Sequence, residues 1–166
     1  MTEPASEVTT NSATLNGTVN PGGAATDYFF AYGLTTNYGS ATPVGQLVAG
    51  TDVVAVSNGI SGLLPGTLYH VRLTATNSAG VASGADLTFT TPALLPVVVT
   101  APASAVTTNA ATLDGTVNPG GATTDYFFEY GVTTNYGSAT VTNQLAQGYA
   151  PVALSNGISA MSENTV

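Results

Sequence analysis

The sequence contains no cysteine, no tryptophan and no lysine, and its one arginine is Arg72. Without cysteine, neither disulfides nor thiolate metal sites are available. Without lysine, the Lys–Asn isopeptide cross-links used by some surface stalks are excluded. Nine carboxylates against one arginine give a net charge of -8, which argues against nucleic acid and anionic membrane as partners, since both require a basic surface. No apolar run approaches the roughly 18 residues of a membrane span, so no membrane insertion is expected. The opening MTEPASEV has neither a basic nor an apolar leader region, so no signal peptide is expected in the given chain. With so few charges, the surface must be largely Thr, Ser, Asn and Gly. Such a surface suits an extracellular or cell-surface protein and lets copies pack side by side without strong repulsion.

What is present is a repeat. ATLNGTVNPGGAATDYFFAYG, residues 13–33, returns almost letter for letter as ATLDGTVNPGGATTDYFFEYG, residues 111–131. Leu15 maps to Leu113 and Tyr28 to Tyr126, a constant offset of 98 positions. That period is too long for a solenoid unit, which cannot fold alone, and suits a self-sufficient domain. No helical periodicity longer than two turns is present, and short β-formers dominate the apolar residues, so the chain reads as all-β.

Residues 3–14 read as a first strand, broken at Asn11-Ser12. Residues 14–20 alternate, with Leu15, Gly17 and Val19 on one face. Asn20-Pro21-Gly22-Gly23 stops that strand in a turn, because proline fixes φ and glycine tolerates positive φ. Residues 27–33 form an aromatic strand, with Tyr28, Phe30 and Tyr32 on one face and Phe29 and Ala31 on the other. After a loop at residues 35–39 come a weaker strand near residues 40–47 and a stronger one over residues 53–60. Asp86 to Thr91 reads as a final strand with Leu87 and Phe89 inward.

The run Leu63-Leu64-Pro65-Gly66-Thr67-Leu68-Tyr69-His70-Val71-Arg72-Leu73-Thr74-Ala75-Thr76-Asn77 fits the pattern L-x-P-x-T-x-Y-x-V-x-L-x-A-x-N. It resembles the E–F corner and F strand of fibronectin type III domains, members of the immunoglobulin-like β-sandwiches. The resemblance covers residues 3–92 and is close to silent on function. It implies that Tyr69 forms a tyrosine corner, its hydroxyl bonded to nearby backbone. It also implies a core tryptophan about where Gly17 stands. Phe30 on the facing strand is the natural filler of that volume, and Gly115 and Phe128 repeat the exchange. The expected structural core therefore includes Leu15, Phe30 and Tyr69, with Leu113 and Phe128 in the second copy.

The expected division is a domain over residues 1–92, a Pro/Val linker and first strand over residues 93–102, and a second domain over residues 103–166. Pro92, Pro96 and Pro102 stiffen the linker, and Val97, Val98 and Val99 favour an extended chain, so the pair is expected to form a semi-rigid rod. The second copy matches the first at most positions up to Ser159 and then stops matching. By analogy it lacks strands F and G, with the counterparts of Tyr69, Val71, Leu73, Ala75, Leu87 and Phe89. At ~1.5–3 kcal/mol per large apolar side chain that loss is on the order of 10 kcal/mol, comparable to the stability of a whole domain. Half a sandwich is not expected to fold alone. Completion by another chain, as in strand donation, is one expectation; a boundary falling inside a domain is the bland alternative, and a divergent smaller fold for residues 100–166 is a third.

Candidate chemistry is sparse. His70 and Arg72 lie two apart on one strand, on its outer face, where no pocket supplies a nucleophile or an orienting carboxylate. Asp86 on the neighbouring strand is expected to pair with Arg72. Asp27, Asp52, Asp86, Asp114 and Asp125 are scattered, and none has the converging loop spacing that calcium requires. No catalytic, metal or cofactor site is therefore expected. Tyr38 and Tyr136 occupy identical Thr-Asn-Tyr-Gly-Ser loops, where the ring either packs back on the domain or stacks on a sugar. Phe29 and Phe127 point outward if Phe30 points inward, and with Val97, Val98 and Val99 are candidate self-association contacts. Asn16-Gly17-Thr18 matches a glycosylation sequon, a short and weak signal.

The expectation is a non-enzymatic extracellular structural protein made of two tandem fibronectin type III-like β-sandwiches. It would act as a spacer or filament-forming subunit on a bacterial surface, its partners being other copies of itself. The alternative is a carbohydrate-associated module of a secreted polysaccharide-active enzyme or adhesin.

Overall fold

The computed structural model describes residues 1–159. They form β-strands joined by turns, with no helix, and every strand pairing is antiparallel. Among the described residues no helix is long and apolar enough to cross a membrane. The chain divides into two compact units, Met1–Ala93 and Leu94–Val166.

In unit 1, β1 (Thr2–Ser6), β2 (Ser12–Val19) and β6 (Val54–Ser61) form one sheet in the order β1-β2-β6. A second sheet carries β4 (Ser40–Ala41), β3 (Thr26–Gly33), β7 (Leu68–Asn77) and β8 (Gly80–Ser83) in that order; β5 (Gly45–Leu47) also pairs with β3, and β9 (Leu87–Thr90) with β7. The alternation of β2 sends Ala13, Leu15, Gly17 and Val19 inward and leaves the intervening polar residues half-buried. They meet Phe30, Tyr69, Val71, Leu73 and Phe89 from the other sheet in one core. Leu15 and Phe30 are fully buried. A Cβ on Gly17 would stand 2.6 Å from Leu73 Cδ2 and 3.6 Å from Phe30 Cε1. Phe30 thus fills the space above Gly17 as expected, and Leu73 shares it. The Tyr69 hydroxyl accepts a hydrogen bond from the Leu64 amide at 2.9 Å, and its ring stacks on Phe89 with centroids 5.6 Å apart.

Two expectations need correction. The first strand is two elements: β1 stops at Ser6, and a turn follows in which Glu7 takes φ 49° and the Ser12 amide donates to Thr9 Oγ1 at 3.0 Å. Short Thr and Ser side chains bonding their own backbone end a strand. The weak strand near residues 40–47 is two short strands, because Thr42 Oγ1 accepts from the Phe30 amide at 3.0 Å and interrupts the ladder. β8 left no clear mark in the sequence.

Unit 2 repeats the first sheet with β10 (Val97–Ser104), β11 (Ala110–Asn118) and β16 (Val152–Ser159), in the order β10-β11-β16. The β11–β16 register, Ala110↔Ser159 to Val117↔Val152, reproduces that of β2 and β6. The aromatic stretch differs. It is divided into β12 (Thr124–Tyr126), paired with β15 (Asn143–Leu145), and β13 (Glu129–Tyr130), paired with β14 (Ser138–Ala139). In unit 1 the other flank of this stretch is bound by β7 along its length; among the described residues of unit 2, no strand occupies that flank. Accordingly Leu113 and Phe128 are half-buried where Leu15 and Phe30 are fully buried. Residues 160–166, on which the end of the repeat match falls, lie outside the described residues.

Candidate functional site

Two places in the fold combine unusual geometry with chemistry. The first is a polar cluster on unit 1. The loop after β3 turns back so tightly that Tyr38 adopts φ 59°, as Tyr136 does at 53° in the other copy, a left-handed conformation uncommon for a bulky residue. The Tyr38 amide donates to Thr35 O at 2.8 Å, and its hydroxyl donates to Asp86 Oδ1 at 3.0 Å. His70 Nδ1 lies 2.8 Å from Asp86 Oδ2. The Arg72 guanidinium sits over the Tyr38 ring, 4.9 Å from its centroid, a cation–π arrangement.

Asp86 therefore bonds His70 and Tyr38 and not Arg72, contrary to expectation: its carboxylate takes the two donors that reach it, and the guanidinium takes the ring face. The hydrogen bond from His70 holds the Asp86 carboxyl below the usual carboxylate range against the opposing effect of burial, helped by the Tyr38 hydroxyl and the nearby Arg72 charge. Burial, then the bond to Asp86, pushes the Tyr38 hydroxyl up.

A carboxyl whose pKa is depressed on folding stabilises the fold above its unfolded value of about 3.9 and loses that contribution as pH falls through the folded value. Asp86→Asn is thus expected to destabilise unit 1 at neutral pH by at most about 1 kcal/mol, since the group is exposed. The gap between variant and wild type should close on acidification below about pH 4; denaturant titrations at pH 7 and pH 3 test this, and a gap that widens in acid would contradict it.

Chemically the cluster is a histidine oriented by a carboxylate, without an adjoining nucleophile in the contacts described. Among the described residues no group of three or more His, Asp or Glu side chains is placed to hold a metal ion. Nor is Tyr38 an open platform for a sugar, because Arg72 covers its ring and Asp86 takes its hydroxyl. Tyr136 is 51% exposed.

The second place is a groove of about 420 Å³ in unit 2, whose walls include Val99, Gly115, Val117, Phe128, Tyr136 and Leu154. It lies where unit 1 holds the side chains of β7: the Gly17 position, covered there by Leu73, corresponds to Gly115, whose neighbours are Val99 O and the Phe128 ring. Of the candidate contact residues, Phe127 is 53% exposed, and Val97, Val98 and Val99 are 62%, 64% and 57% exposed on β10. Phe29 is half-buried opposite Thr74 of β7.

The sequence did not reveal the Tyr38–Asp86 bond, which joins residues 48 positions apart. The spacing of His70 and Arg72 and the lone nearby carboxylate were its only signal. Thr2 was also missed: it is buried, and its Oγ1 accepts from the Leu73 amide at 3.1 Å.

No protein-family model matches this chain, and no curated protein matches it. Among solved structures, the chain is similar to a longer form of the sensor domain of the anti-sigma factor RsgI4 in Pseudobacteroides cellulosolvens. The identity there is 29% over 57% of this chain and 88% of that one, with a TM-score of 0.43. It is likewise similar to a shorter form of the same domain, at 27% identity over 56% of this chain and 92% of that one, with a TM-score of 0.44. At these TM-scores the likeness carries no inference about function.

Proposed function

We propose that the two units are tandem immunoglobulin-like, fibronectin type III-like β-sandwiches. In this reading the protein is a non-enzymatic extracellular structural component, a spacer or filament-forming subunit on a bacterial surface, whose second unit is closed by strand contacts from a neighbouring subunit. Support for the fold comes from the single core shared by two sheets in unit 1 and from the Tyr69 corner. Support for the extracellular setting comes from a surface nearly free of cations. The open groove of unit 2 carries the functional reading. An apolar channel flanked by an unpaired strand edge is the situation that strand addition resolves.

Negative-stain electron microscopy with light scattering on the purified chain tests it: filaments or large regular oligomers are expected, and a clean monomer at all concentrations would refute the assembly. Phe127→Ser is expected to weaken that assembly several-fold, whereas Phe29→Ser should leave unit 1 folded, its ring being only half-buried. Circular dichroism melts on both variants check this; loss of unit 1 in Phe29→Ser would mean that the ring belongs to the core.

A second reading, a carbohydrate-associated module, rests on the exposed ring of Tyr136. It requires a monomer retarded on a polysaccharide affinity gel, with Tyr136→Ala abolishing the retardation.

A further inference from the structure

The outer face of the second sheet of unit 1 carries two opposite charges that nothing in the unit pairs. Tyr28, Phe30 and Tyr32 of β3, with Val71 and Leu73 of β7, pack into or against the core. Alternation therefore turns Asp27, Phe29 and Ala31, with Arg72, Thr74 and Thr76, to the outside. The register sets Asp27 opposite Thr76, Phe29 opposite Thr74 and Ala31 opposite Arg72. Asp27 is exposed, and Phe29 and Arg72 are half-buried. Among the described residues the Asp27 carboxylate has no hydrogen-bond or ion-pair partner, whereas its counterpart Asp125 accepts from Gln144 Nε2 at 2.8 Å. Arg72 meets the Tyr38 ring and no acceptor, and its Nε is buried and unsatisfied. Asp86, the other carboxylate on this face, is already bonded by His70 and Tyr38.

The Phe29–Thr74 level lies midway between Asp27 and Arg72 along the strands. A second copy laid face to face, and given half a turn about an axis across the strands at that level, brings each Arg72 beside the other copy's Asp27. The same turn sets each Phe29 on the other Phe29. Ala31, Thr74 and Thr76 are small enough to let the faces close. Packed sheets stand about 10 Å apart, a gap that an arginine and an aspartate side chain span together. We propose that this face is a self-complementary interface between two copies of the chain, centred on Phe29 and closed at both ends by Arg72–Asp27 ion pairs. A chain of net charge -8 repels its own copies, and Arg72 is its only Lys or Arg. An orientation that seats this guanidinium on a carboxylate, twice by symmetry, is thereby favoured. Such a contact uses the same patch on both copies and ends in a pair. It is separate from the strand contact of unit 2 and does not depend on it.

The test mixes two charge variants of the full chain, with sedimentation equilibrium reading the pairing and circular dichroism the folding. Asp27→Arg and Arg72→Asp should each pair about ten-fold more weakly than wild type, because like charges then meet at both ends. An equimolar mixture should pair with wild-type strength, since each variant supplies the charge that the other lost. If Arg72→Asp does not fold, Asp27→Arg and Phe29→Ser carry the test, each weakening the pairing by itself. The chain has no cysteine, so an added one reads the geometry. Phe29→Cys should be joined to its own copy by a short bis-maleimide, and Ser57→Cys, exposed on the opposite sheet, should not. Unchanged pairing in the single variants, no recovery on mixing, or equal cross-linking at both cysteines would overturn the interface. Filaments that grow equally well from wild type and from both charge variants would uphold the unit 2 contact and overturn this one. A wild-type monomer held on an anionic polysaccharide gel, and released by Arg72→Asp, would assign the guanidinium to a polysaccharide carboxylate instead.

Discussion

Replacing Phe30 by alanine is expected to cost unit 1 about 3–5 kcal/mol, the range for truncating a buried phenylalanine. The ring is fully buried, and the site cannot collapse to recover the loss. Its floor is Gly17, which has no side chain to move, and β3 is held in place by β7 over seven residue pairs, from Asp27↔Thr76 to Gly33↔His70. A domain is stable by only about 5–15 kcal/mol, so the variant should lose most of its margin. Phe128→Ala, the same change in the other copy, should cost well under half as much. Phe128 is only half-buried, and truncation there widens a groove already open to water. Denaturant unfolding followed by amide exchange, resolved by unit, measures both. Equal costs would mean that the groove of unit 2 is already closed in solution.

Gly33→Ala is the second large effect, expected at about 3 kcal/mol, at the upper end of overpacking penalties. The reason is space and not conformation, because Gly33 does not carry a positive φ. A Cβ there would overlap the backbone carbonyl of Tyr38, and backbone cannot swing aside as a side chain does. Relief requires the loop to lift. That would pull the Tyr38 hydroxyl from Asp86 and the ring from Arg72. The variant should therefore show a lower Tm, a Tyr38 hydroxyl that titrates lower than in wild type, and an Asp86 carboxyl that titrates higher. A Tm within a degree of wild type would show that the loop yields freely. Gly131 meets Tyr136 in the same way, so the second copy should respond in parallel, without the Asp86 effect.

These two sites differ in how legible they were. Phe30 followed from alternation in an aromatic strand and from the absence of tryptophan. The Gly33–Tyr38 contact did not, because two glycines flanking a polar loop suit many loop paths. The Tyr38–Asp86–His70 cluster was hidden for a related reason: its members come from a loop, a strand and a strand start, and only the pairing of β3, β7 and β9 brings them together. The expected Arg72–Asp86 pair failed because charge alone does not choose between an acceptor carboxylate and an aromatic face.

The sequence by itself determined the all-β class, the repeat, the inward faces of β2 and β3 and the turn at residues 20–23, all of which depend on local periodicity and on the backbone freedom of glycine and proline. Only the tertiary structure decided that the two copies, so alike in residues 13–33 and 111–131, are unlike in burial. Whether Phe30 or Phe128 is covered depends on whether a strand lies on the far flank of its sheet. That strand pairs across 37 to 49 positions in unit 1, from Gly33↔His70 to Asp27↔Thr76, and is absent among the described residues of unit 2. Local pattern sets which face is apolar, and distant pairing sets whether that face is dry.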